Sequence, residues 1–236
     1  MQINGAVALV TGANRGLGEQ FTKALLERGA AKVYAGARDP ESVRTPGVVP
    51  VRLDITDARQ VRAAAEAAPD VTLLINNAGL TTGSDVLAGT LDDWRLEFDT
   101  HVLGTLRMSR AFAPALAANG GGALLNVLSV LSWLGIPRTA AYTAAKSAQW
   151  SLTNSLRLAL AEQGTLVTGL HVGLMDTRIA AGQDAPKADP AKVAALALEG
   201  IEAEAYEVLA DDMSRQVRAA LSGELAALYP QLSDRA

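Results

Sequence analysis

Residues 6–29 read AVALVTGANRGLGEQFTKALLERG. An aliphatic run over 6–11 passes directly into glycines at 12, 16 and 18, then into a segment with helical spacing. Unbroken apolar runs of this length are what strands buried on both faces look like, and a glycine turn joining such a strand to a helix start forms an anion site. Glycine lets the backbone approach a phosphate closely, while the free N–H groups and dipole of the helix favour its charge. The spacing is GxxxGxG, so it is neither GxGxxG nor a phosphate loop ending in GKS or GKT. A plain strand-to-helix turn that needs glycine looks the same, and the turn alone leaves both readings open.

Outward from this stretch, apolar runs recur at 32–37, 48–53, 71–76, 123–128, 166–172 and 206–210. They alternate with segments of helical pattern at 16–28, 57–67, 92–118, 140–163, 190–203 and 211–222. Such alternation predicts an α/β, doubly wound Rossmann arrangement: a mostly parallel sheet of about seven strands with helices on both faces, in three αβα layers. Thr56 or Asp57 is placed to cap the second helix, and Asp189 with Pro190 has the order of a helix start. The stretch GQDAPKAD, 182–189, reads as loop. No repeat, proline-rich linker or charge block divides the 236 residues, so one domain is expected. Its cofactor elements would occupy about 1–120 and its catalytic and substrate elements about 121–236.

Composition removes several function classes. Hydrophobic residues form 49% and charged residues 19% of the chain, which gives material for a core and argues against disorder. The net charge of -4, with no Lys/Arg-rich run, offers no footprint for nucleic acid or an anionic membrane surface. No run reaches the roughly 18 apolar residues of a membrane span, and the first residues lack the pattern of a signal peptide, so a cytoplasmic location is expected. Cysteine is absent and histidine occurs twice, at 101 and 171, so a metal-free chemistry is expected.

In dinucleotide folds an acidic residue ending the second strand bonds the adenosine ribose. Here YAGARD places Ala37 at that point and Arg38 beside it. A guanidinium there suits a 2′-phosphate, and Arg15 in the glycine turn is a second candidate contact, so NADP(H) is favoured over NAD(H). Two solvated arginines are the plainer reading, and Asp39 supplies an acid if the strand end is shifted by two.

A second stretch, SVLSWLGIPRTAAYTAAKS at 129–147, sets Ser129, Tyr142 and Lys146 in apolar surroundings. Tyr142 and Lys146 stand four apart on a helix, hence on one face. Ser129 follows the carboxyl end of a strand, where ligands bind in open α/β sheets. Taken in order, TGANRGLG, LDIT, NNAG at 76–79, Ser129, YTAAK at 142–146 and the threonine of VGLMDT resemble the short-chain dehydrogenases/reductases of the single-domain type, over residues 5 to 210.

The resemblance implies reversible hydride transfer between NADP(H) and a carbonyl/secondary alcohol pair. Tyr142 would be the acid/base, Ser129 would bond the substrate oxygen, and Lys146 would hold the nicotinamide ribose. Gly12, Asn14, Arg15, Gly16, Leu17 and Gly18 would cradle the phosphates, with Arg38 at the adenosine end. Asp54 and Ile55 would line the adenine. Asn77, Ala78 and Gly79 would pass the centre of the cofactor, and Gly173 and Thr177 its carboxamide end. An ordinary tyrosine pKa lies near 10, and a neighbouring ammonium and an oxidised nicotinamide both favour phenolate.

The chain departs from the family pattern twice. His101, seven residues after Trp94, stands where the family carries an asparagine whose main-chain carbonyl holds a water linked to the lysine. That carbonyl survives the substitution, and His101 is kept as a catalytic candidate, with a core histidine as the alternative. Val172-Gly173 replaces the usual Pro-Gly, which predicts a looser loop and an intact site.

Leu80, Leu131, Trp133, Leu134, Met175 and Ile179 are the expected substrate surroundings, with Trp133 as one wall. Their apolar character suits a hydrophobic ketone or aldehyde, although such residues also fit a buried core. Similarity implies a homodimer or homotetramer built on the long helices 92–118 and 140–163. Two rivals remain: a non-catalytic NADP(H)-binding redox sensor, and an epimerase or dehydratase, which would need a larger substrate domain.

Overall fold

The computed structural model describes residues 1–177, 184 and 186–235. Seven strands form one sheet: β1 (Val7–Thr11), β2 (Lys32–Ala37), β3 (Val49–Arg52), β4 (Leu73–Asn76), β5 (Ala123–Val127), β6 (Leu166–His171) and β7 (Glu207–Leu209). Their order is β3-β2-β1-β4-β5-β6-β7, and every pairing is parallel. Strand order reverses between β1 and β4, which opens a crevice at their carboxyl ends.

Single-residue alternation explains why both faces must be covered. In β1, Ala8 and Val10 join one core while Leu9 joins the other; in β4, Leu73 and Ile75 face one way and Leu74 the other. One core is closed by Leu17, Phe21 and Leu25 of α1 (Gly16–Glu27) and Val193, Ala197 and Ile201 of α6 (Pro190–Glu202). The other is closed by α2 (Ala58–Ala67), α4 (Thr105–Ala118) and α5 (Ala140–Leu160), through Val61, Met108, Phe112, Leu156 and Leu160. Full burial of a side chain such as Phe21 or Phe112 stabilises the fold by roughly 1.5–3 kcal/mol.

Asp57 caps α2 by accepting from the N–H groups of Arg59 and Gln60, and Asp189 caps α6 by accepting from Ala191. Two short helices, α7 (Asp212–Ala220) and α8 (Leu225–Leu228), follow β7.

The helix expected over 92–118 is divided. α3 (Leu91–Phe98) runs into a π-helical turn, Asp99–Gly104, before α4 begins. One extra residue per turn leaves the apolar spacing of the flanking helices nearly unchanged, so sequence periodicity does not register it. A Cβ on Gly104 would lie 2.7 Å from Cδ1 of Ile55, which fixes a glycine where the turn crosses the sheet end.

Candidate active site

The crevice is floored at one end by the β1–α1 turn. Gly16 has φ +55, a region that favours glycine, and a Cβ on Gly18 would stand 2.1 Å from the Gly12 carbonyl oxygen, so backbone meets backbone there. Arg15 holds the N-cap position of α1 and makes no side-chain cap, whereas Asp57, Thr90, Asp189 and Asp211 cap α2, α3, α6 and α7. The first-turn N–H groups of α1 therefore face the crevice without a side-chain acceptor, as a phosphate cradle requires. Leu17 is buried under the turn, and Asn14 is half-buried, its side-chain amide bonded to the Ser42 hydroxyl at 3.1 Å.

Around this turn Arg15 and Arg38 are exposed. Arg52, paired with Ala37 across β2 and β3, donates to the Arg38 carbonyl at 3.0 Å and adds a third guanidinium that the sequence did not single out. Asp39 is turned away: its carboxylate accepts from the Glu41 N–H, as the cap of the short helix Pro40–Ser42. Asp54 binds the N–H and hydroxyl of Thr56, and Ile55 is buried against Gly104.

Asn77 ties the two halves of the crevice together. Its amide donates to the carbonyls of Thr11 and Gly12, while the Thr11 hydroxyl accepts from the N–H groups of Asn77 and Ala78. Asn76 does similar work below, bonding Asn126 across β4 and β5. The side-chain NH2 groups of both are thus engaged in the frame. Gly79 is a close-approach position, since a Cβ there would lie 2.7 Å from Cε1 of His101.

At the other end, the carboxyl end of β5 and the first turns of α5 bring Ser129, Tyr142 and Lys146 together. The Ser129 hydroxyl accepts from the Leu131 N–H at 3.1 Å, lies 3.4 Å from the Val172 carbonyl and stands beside the Tyr142 phenol. Lys146 is buried; it donates to the Val127 carbonyl at 2.8 Å and to Oε1 of Gln149 at 2.9 Å, and its Nζ stands 5.7 Å from the centre of the Tyr142 ring. Gln149 is held in turn by Thr105. An ammonium has three donors, so one remains for a ligand.

Burial pushes the Tyr142 phenol up to about 12; the Ser129 hydroxyl pulls it down and the Glu97 charge pushes it up again. Burial brings Lys146 down to about 7, against the upward pull of Glu97. Each shift is the expected response of a charged form removed from water.

His101 is buried, edge-on to Tyr142 with ring centres 5.2 Å apart. Its Nε2 lies 2.7 Å from the Leu80 carbonyl and 3.2 Å from Oε2 of Glu97. Glu97 was missed by sequence reasoning although it stands four residues before His101, the spacing that puts two side chains on one helix face.

The substrate candidates divide. Leu80, Leu131, Leu134 and Met175 are half-buried, Met175 against the core that α1 and α6 close. Trp133 is nearly buried: its ring stacks on His171 with centres 3.9 Å apart, meets Trp150 edge-on and lies under the Arg218 guanidinium. His171 is thus a packing residue, and Trp133 belongs to the same stack. Ile179 lies outside the described residues. Thr177 reaches back to the glycine turn, 3.5 Å from where a Cβ on Gly16 would stand. The Gly173 N–H donates to Asp211, the cap of α7, at 2.6 Å. Open grooves of about 390 and 570 Å³ lie elsewhere, beside Gly122 and Thr165 and beside Trp150 and Tyr206, and contain none of these crevice residues. Among the described residues no cluster of His, Asp or Glu forms a metal site, and no helix is long and apolar enough to cross a membrane.

A family model for short chain dehydrogenases matches residues 6–188. An uncharacterised oxidoreductase of Staphylococcus epidermidis is 30% identical over 188 residues, covering 75% of this chain and 81% of that protein. Among solved structures, a short chain dehydrogenase from Burkholderia cenocepacia J2315 in complex with NADP is 42% identical, with a TM-score of 0.94 over 99% of each chain. A short chain dehydrogenase/reductase from Burkholderia phymatum in complex with NAD is 27% identical, with a TM-score of 0.83 over 92% of this chain and 93% of that one. Sheet order, glycine turn and ordered motifs agree with these likenesses, and the chain belongs to the short-chain dehydrogenase/reductase family of oxidoreductases.

Proposed function

We propose that this chain transfers hydride reversibly between NADP(H) and a carbonyl/secondary alcohol pair, with Tyr142 as the acid/base and hydrophobic ketones or aldehydes as substrates. The observation that carries the reading is the convergence of Ser129, Tyr142 and Lys146 at the end of β5, in the same crevice as an uncapped glycine turn. Three guanidinium-bearing residues near the turn, and an Asp39 carboxylate engaged in capping, favour a 2′-phosphate over a free ribose hydroxyl. The NADP complex of the Burkholderia cenocepacia relative supports the same preference.

When bound, the nicotinamide supplies the hydride; the chain's own residues manage the oxygen. Ser129 donates to the substrate oxygen and polarises it. The Tyr142 phenol gives that oxygen its proton, and the Lys146 ammonium offsets the phenolate that remains. With its pKa at about 12, Tyr142 is protonated at neutral pH, the form that carbonyl reduction needs. Alcohol oxidation runs the same path backwards and requires the phenol to be brought down, so it gains with rising pH. Half-buried Leu80, Leu131, Leu134 and Met175 present aliphatic surface and no cation to a substrate. Assembly through α4 and α5 belongs to the same reading, with Leu158 of α5, 81% exposed, on the surface that would pair.

Oxidation of NADPH and NADH, followed optically with aromatic and aliphatic ketones and aldehydes, tests this function. The expected result is turnover of apolar carbonyls, faster with NADPH. Tight NADPH binding with no carbonyl reduced would contradict it and leave a redox-sensing protein.

A further inference from the structure

Beside Tyr142 lies a polar pair that the proton transfer described above does not use. Glu97, on the last turn of α3, has no exposed surface, and His101, in the π-helical turn, is 1% exposed. Oε1 of Glu97 accepts from the Thr82 N–H at 2.6 Å and from the Thr82 hydroxyl at 3.0 Å. Oε2 faces His101 Nε2. A carbonyl only accepts, so the 2.7 Å contact with Leu80 places the imidazole hydrogen on Nε2 and leaves Nδ1 bare, buried and unpartnered among the described residues.

A carboxylate this deep is retained only when it is hydrogen-bonded and its charge is balanced. The titratable groups facing it are His101 from the π-helical turn and Tyr142 and Lys146 from α5. The 80–82 segment brings neutral donors, and the nearby Arg95 and Arg107 are paired with Asp92 and Asp99. His101 is held neutral, first by burial and then by Lys146. Lys146 is the group that can carry the balancing positive charge, and Glu97 favours its protonated form.

We propose that Glu97 is the positioning residue and counter-ion of this site: it offsets Lys146, sits against His101, clamps Thr82, and so sets the pH range in which Tyr142 transfers its proton. This rests on the function proposed above. The sign is fixed by charge. A carboxylate favours the protonated forms of both Tyr142 and Lys146, and carbonyl reduction needs both protonated. Removing the charge lowers both, so the alkaline limit of reduction moves to lower pH.

The experiment compares kcat/KM for NADPH-dependent carbonyl reduction against pH in wild type and Glu97→Gln, with thermal unfolding at each pH. The expected result is an alkaline limb displaced by about one unit toward acid. A lost clamp alone would lower rate or Tm at every pH with the limb in place, and that result overturns the proposal. The double variant Glu97→Gln/His101→Asn keeps an acceptor for Thr82 and a donor for the Leu80 carbonyl, and is expected to show the same displacement. Absorbance titration of the Tyr142 phenol in ligand-free protein, with Tyr142→Phe subtracted, reads the shift without turnover. If the wild type reduces no carbonyl, the proposed function fails, and this titration alone decides on Glu97. A phenol that titrates unmoved in both variants, or two variants that do not fold, overturns it.

Discussion

The two ends of the crevice are built by opposite means. At the β1–α1 turn the chain makes room by leaving side chains out: Gly16 takes a left-handed φ, Gly18 lies against the Gly12 carbonyl, and Arg15 leaves the helix uncapped. At the reacting end it crowds polar side chains together, with Lys146, Glu97, His101 and Ser129 all buried around Tyr142. A site made of backbone depends on what is absent and tolerates no added atom. A site made of side chains depends on charges balancing where water is scarce, and its chemistry can be tuned one group at a time.

Gly18→Ala strikes the backbone end hardest. Its Cβ would meet the Gly12 carbonyl at 2.1 Å, a backbone atom that cannot swing away. Overpacking of this kind costs roughly 1–3 kcal/mol, so NADPH affinity is expected to fall by about ten- to a hundredfold. Calorimetric titration with NADPH measures it, and an affinity equal to wild type would remove the turn from the cofactor site. Arg38→Asp is milder, because the guanidinium is exposed and screened and Arg15 and Arg52 remain nearby. The ratio of NADPH to NADH efficiency should fall by about tenfold, the worth of one charged contact, and an unchanged ratio would break the link between Arg38 and a 2′-phosphate.

The same contrast explains what sequence could tell. All seven strands were placed to within a residue or two, because runs buried on both faces are unbroken, and Asp57 and Asp189 were recognisable as caps from their neighbours. The glycine turn and the Tyr142/Lys146 spacing were legible for the same reason: each is written in consecutive residues. What remained hidden depends on contacts between distant segments. Glu97 finds its donors on Thr82, in a loop without pattern, and Lys146 is steadied by Gln149 through Thr105. Trp133 was readable as apolar, but only the fold shows it stacked on His171. Asn77 and Gly173 offered polar groups that the structure engages elsewhere, on Thr11 and Gly12 and on Asp211. The π-helical turn at Asp99–Gly104 escaped because one inserted residue leaves both flanking periods intact.

The most direct test of the central claim, that the Tyr142 phenol carries the proton, is Tyr142→Phe assayed for carbonyl reduction and NADPH binding in the same preparation. The ring and its packing against His101 stay, and only the hydroxyl goes. Turnover is expected to fall by at least about a hundredfold, the usual range for general acid catalysis, with NADPH affinity preserved. Turnover kept to within about tenfold, at unchanged affinity, would show that another group delivers the proton.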